Sequence, residues 1–116
     1  RQDLYQSILD KCVAYDKVGI IGISFKPNSP VVIGSPSSKL IQDLIEKNIT
    51  VFAYDEFDES FSNLNGLEDK IIKCKTPQEC VDKSDAIAIM HPDNKFSSLN
   101  ISDKFVIDNW GVLDGN

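Results

Sequence analysis

Short apolar runs alternate along this chain with segments of helical period, and few architectures accommodate that alternation. Residues 17–24 (KVGIIGIS) and 85–91 (DAIAIMH) are apolar without a two-residue period. Such runs, rich in β-branched residues, mark strands buried on both faces of a parallel sheet. Residues 50–54 (TVFAY), 70–74 and 104–108 (KFVID) read as three further strands. Between them, residues 2–15 place Leu4, Tyr5, Ile8, Leu9, Cys12 and Val13 at a 3.6-residue period. Residues 35–48 repeat the pattern with Leu40, Ile41, Leu44 and Ile45, opened by Ser35 as N-cap and Pro36 as first helical residue. Thr76 and Pro77 open a smaller helix to Lys83 in the same way. Strands joined through helices imply right-handed crossovers. The expected fold is therefore a three-layer α/β/α, Rossmann-like domain. Its parallel sheet has about five strands in order 3-2-1-4-5, with Val18–Ile23 central. Residues 55–67 read as acidic and irregular with at most a helical turn, and residues 94–99 as a helical turn.

Composition narrows the functional classes. A chain of 116 residues makes one domain. Its net charge of −6 lacks the electrostatic footprint of a nucleic-acid binder. Arg1 is the sole arginine, so an anion elsewhere must be held by lysines, backbone N–H groups or a helix N-terminus. Cys12, Cys74 and Cys80 form no CxxC and read as small core hydrophobes in a reducing, cytoplasmic setting. The uncharged stretch 18–25 is far short of the ~20 residues that span a membrane, and no signal peptide is evident. The chain begins with Arg1 rather than Met, which suggests a piece of something longer.

Several residues invite a chemical role. Gly19 and Gly22 precede a turn and a helix, yet the second and third glycines of a dinucleotide fingerprint are missing and the connection is long. Close helix–strand packing is the favoured reading for both. Phe25–Pro36 (FKPNSPVVIGSP) is the richest loop, at the carboxyl end of the first strand where open α/β sheets bind ligands. Lys26 brings a charged donor there, and Asn28, Ser29 and Ser35 bring polar groups; a rigid, proline-stiffened connection is the equal alternative. Asp55 ends the second strand as a ribose acceptor or, more ordinarily, as a turn or cap residue. His91 stands alone, with no second histidine to build a metal site.

Taken together, VGIIGISFKPNS, the SP that opens a helix, VFAYD, SDAIAIMH and FVIDN resemble the C-terminal domain of UDP-glucose/GDP-mannose dehydrogenases over nearly all of residues 17–110. The resemblance implies a nucleotide-sugar-binding domain of enzymes that oxidise a sugar C6 alcohol to a carboxylate with NAD. It also implies that the NAD-binding domain, the catalytic cysteine and the helix through which such enzymes form homodimers lie in other domains. Residues 1–16 then match a linker helix and residues 17–116 the domain proper. By position, Lys26 matches a lysine that contacts the nucleotide sugar, with Asn28, Ser29 and Ser35 at neighbouring loop positions. Two departures stand out. Ser29–Gly34 replaces the family's T-x-D-x-R, and Ile107–Trp110 replaces its ID-x-R, so both arginines are absent. The isolated chain is expected to be inactive and to bind UDP weakly or not measurably. Trp110 offers a ring for stacking on a base or sugar, with a core or interface role favoured.

Overall fold

In a computed structural model, residues 3–24, 26, 28–32 and 34–113 are described. The start expected at Gln2 for the first helix, the Phe25 and Pro27 positions of the FKPNS motif, Ile33 and the last three residues of the tail lie outside the described residues.

Five strands form one all-parallel sheet in the order β3-β2-β1-β4-β5. They are β1 (Lys17–Ile21), β2 (Thr50–Tyr54), β3 (Ile72–Lys73), β4 (Ala86–Ile89) and β5 (Phe105–Ile107). The helices are α1 (Leu4–Cys12), α2 (Pro36–Glu46), α3 (Asp58–Ser62) and α4 (Pro77–Lys83). This is the expected order, with β1 at the centre. Val18–Ile21 and Ala86–Ile89 are buried throughout, which is why neither run alternates.

The sheet separates two cores. Ile8, Leu9 and Cys12 of α1 and Leu40, Ile41 and Leu44 of α2 pack on Val18, Ile20 and Ala88. Cys80 and Val81 of α4, with Phe96, pack on Ile21, Ile87 and Ile89 from the other side. Gly19 is required by this second contact. A Cβ there would lie 2.6 Å from Ser84 Oγ and 3.0 Å from Cys80 Sγ.

Observed ends differ from the expected ones where side chains intervene. Asp3 caps α1 by accepting from the Tyr5 N–H, and α1 stops at Cys12 rather than residue 15. Tyr15 then stacks on Phe105 of the edge strand, with ring centroids 5.3 Å apart. The third strand is two residues long instead of five. A 3₁₀ turn over Glu68–Lys70 occupies its expected start, and only Phe52 and Ala53 are there to pair with. Thr76 and Pro77 open α4 as expected, the Thr76 hydroxyl accepting from the Glu79 N–H.

Candidate functional site

Gly22 ends β1 at φ +97°, a conformation that favours glycine. A Cβ at this position would lie 2.5 Å from the His91 ring. His91 is buried, and its Nε2 lies 2.9 Å from the Ser24 carbonyl. A carbonyl only accepts, so Nε2 carries the proton in this contact. The lone histidine is therefore an internal tie between the loops after β4 and β1.

Beyond Gly22 the chain leaves the ladder, and side chains supply the missing partners. The buried Asp55 carboxylate accepts from the Ile23 and Ser24 N–H groups at 2.8 and 3.1 Å. Its other oxygen accepts from the Phe57 N–H and the Ser60 hydroxyl at 3.0 and 2.9 Å. With four donors on two oxygens, Asp55 is occupied in joining β2 to the β1 loop, and no ribose is needed to explain it. On the acceptor side, the Ser37 hydroxyl donates to the Gly22 carbonyl at 2.6 Å and the Ser35 hydroxyl to the Ile23 carbonyl at 2.9 Å. Ser35 also caps α2, accepting from the Ser38 N–H at 3.0 Å. Buried backbone groups are thus satisfied without a strand or helix.

The middle of the loop is different. Lys26 and Asn28 are exposed and Ser29 is half-buried. The Lys26 carbonyl accepts from the Ser24 hydroxyl at 2.8 Å, which leaves its ammonium outside this tie. Asn28 adopts φ +65°, tolerated by asparagine, and its N–H donates to Glu56 at 2.9 Å. Glu56 is in turn paired with Lys95 at 2.9 Å, and Lys95 reaches Asp93 at 3.4 Å. These contacts hold the Glu56 carboxyl below its ordinary range, the Lys95 bond first and the Asn28 N–H second. Loops following β1, β2 and β4 are joined in this way at the carboxyl edge of the sheet. Of the four loop residues singled out in the sequence, Lys26, Asn28 and Ser29 share one stretch of surface; Ser35 lies apart, buried at the foot of α2. The Glu56–Lys95 pair and Ser37 escaped sequence reasoning; the run SPSS at the helix start was the available signal for Ser37.

The site does not fit a dinucleotide. The His91 ring covers the face of Gly22 that would have to approach a pyrophosphate, and Ser35 and Pro36 occupy the start of α2. Among the described residues no group of three or more His, Cys, Asp or Glu side chains is arranged to hold a metal. The cysteines are all buried, and burial pushes the Cys12 thiol up to about 12. No described helix is long and apolar enough to cross a membrane.

Residues 19–115 match the family model described as the UDP-glucose/GDP-mannose dehydrogenase family, UDP binding domain. The chain belongs to this family. It is 32% identical over 111 residues to the UDP-N-acetyl-D-mannosamine dehydrogenase of Methanococcus vannielii, covering 86% of this chain and 24% of that protein. It is 27% identical to the GDP-mannose 6-dehydrogenase of Pseudomonas putida, covering 94% of this chain and 28% of that protein. Among solved structures, it superposes on a UDP-glucose dehydrogenase from Pyrobaculum islandicum with a TM-score of 0.77, at 22% identity over 90% of this chain and 24% of that one. That likeness supports the Rossmann-like fold. The chain spans about a quarter of the length of these relatives.

Proposed function

We propose that this chain is the nucleotide-sugar-binding part of an NAD-dependent dehydrogenase that oxidises the C6 alcohol of a nucleotide sugar to a carboxylate in the cytoplasm. Residues 1–16 serve in this reading as the linker helix and 17–116 as the binding domain. The observation that carries the reading is the family match over residues 19–115, coupled to an exposed Lys26 on a loop anchored at both ends. NAD and the catalytic cysteine belong to other domains of a homodimeric parent, in keeping with the covered face of Gly22. Lys26, with Asn28 and Ser29 beside it, supplies a compact positive charge to the phosphates or to the developing carboxylate. Ser35 acts on the loop's shape.

The absence of both family arginines favours a second reading, a binding or assembly module that has lost nucleotide-sugar binding. The test uses the full-length parent. Lys26→Ala should raise KM for the nucleotide sugar about tenfold, the loss of one charge-assisted contact. Its melting temperature should hold, since truncating an exposed lysine costs under ~0.5 kcal/mol. Unchanged kinetics would remove Lys26 from the site. A parent without hydride-transfer activity on any nucleotide sugar would favour the module.

A further inference from the structure

A second feature of the carboxyl edge is untouched by the Lys26 loop. A cavity of about 390 Å³ opens between the start of α1, the start of α2 and the segment after β5. It lies where the strand order reverses, between β1 and β4, the place where open α/β sheets receive ligands. Its walls are apolar, with Tyr5 and Ile8 on one side, Pro36 and Met90 on the others, and the Trp110 indole among them. Trp110 is 53% exposed, which removes the core role expected for it. An exposed indole beside an apolar recess is a stacking platform waiting for a planar partner.

The charges decide which end of a nucleotide suits the space. Neither a lysine nor an arginine lines it, and its one charged lining group is the Asp3 carboxylate. A diphosphate would meet repulsion there; a neutral base would not. Asp3 can accept from an imide N–H, and the Asn109 amide offers both a donor and an acceptor. Ser24 lines the cavity as well, and its hydroxyl bonds the Lys26 carbonyl two residues along the chain. The uncharged recess and the cationic loop are therefore neighbours.

We propose that this cavity receives the base of the nucleotide, stacked on Trp110, with the phosphates directed toward the Lys26 loop. The proposal rests on the nucleotide-sugar reading above and adds the orientation. It also assigns to Trp110 part of the affinity that the missing arginines no longer provide.

The chain has one tryptophan, so intrinsic fluorescence reports Trp110 alone. The 116-residue chain is titrated with uridine, UDP and inorganic pyrophosphate, while NMR follows the Met90 methyl and the Lys26 amide. Uridine and UDP should change the fluorescence saturably, with half-saturation near millimolar, and shift the Met90 methyl. Pyrophosphate should leave both unchanged. Trp110→Ala should weaken uridine binding about tenfold at the Met90 methyl, and Trp110→Phe should restore most of it. If UDP moves the Lys26 amide but neither Trp110 nor Met90, the base lies elsewhere and only the orientation is overturned. If uridine binds Trp110→Ala as it binds the wild type, the stacking is overturned. If no signal responds to UDP or uridine, this proposal and the nucleotide-binding reading fail together.

Discussion

The two ends of the segment between β1 and α2 are built unlike its middle. At the ends, Gly22, Ile23, Ser24, Ser35 and Ser37 are buried, and side chains from Asp55, His91, Ser35 and Ser37 satisfy their backbone. In the middle, Lys26 and Asn28 are exposed, and the printed tie to the rest of the fold is one N–H bond to Glu56. The difference separates what holds the loop from what the loop presents. A functional tip can change its chemistry while the anchors keep its position, which is how this chain can lack the family's loop arginine and still keep the frame.

Breaking the anchor at its hub should have the largest effect. Asp55→Ala leaves two backbone N–H groups of the β1 loop, the Phe57 N–H and the Ser60 hydroxyl without their acceptor. A loss of about 3–5 kcal/mol is expected, the scale for breaking a buried charged network. Calorimetry should show a melting temperature lower by more than ~10 °C; a drop of only a degree or two would make the anchor dispensable. Next comes Gly22→Ala, which combines a positive φ with a collision against the His91 ring. It should cost about 2–3 kcal/mol in denaturant unfolding. The double variant with His91→Ala should be less destabilised than the sum of the two single changes, because the collision is gone. Additive losses would mean that the ring and the glycine do not compete for the same space. Ser35→Ala should cost about 1 kcal/mol as the loss of an N-cap. If its effect equals that of a serine substituted on the exposed surface, the cap and the Ile23 tie contribute nothing.

The smallest effect belongs to the middle of the loop. Glu56 has its pKa lowered by Lys95 and by the Asn28 N–H, so its contribution is present above the ordinary glutamate range and is lost as pH falls through the lowered value. The pair is largely solvent-exposed, and Glu56→Gln should cost no more than ~0.5 kcal/mol at neutral pH. The difference between wild type and variant should shrink on acidification and with added salt. A difference that grows in acid would reverse the sign of the argument.

These contrasts also mark what the sequence could convey. The strand order and the openings of α2 and α4 rest on local chemistry: unbroken apolar runs, and Ser35-Pro36 and Thr76-Pro77 as start signals. The anchor depends on contacts remote along the chain. Nothing near His91 reveals that its ring lies on Gly22 and its Nε2 on Ser24, 67 positions away. Asp55 was legible as a polar strand end, but its four donors come partly from residues more than thirty positions earlier. Trp110 was ambiguous for the same reason, because its exposure is set by where α1 and α2 begin. The shortened β3 shows an opposite failure. Its residues suit a strand, but an edge position and a preceding 3₁₀ turn leave only two of them a partner.

That truncation bears on how the protein behaves at high concentration. An open sheet presents unpaired N–H and C=O groups along its outer strands, and a long flat margin recruits other chains. Here one margin is two residues long and carries Lys73, and the other is three residues long with Lys104 just before it. Lys104 is turned back onto the carbonyls of Asp82 and Ser84, and Tyr15 lies over Phe105. Short, charged and partly roofed margins give a neighbouring strand little to extend, so the fold resists edge-to-edge aggregation while its central strands remain strongly apolar.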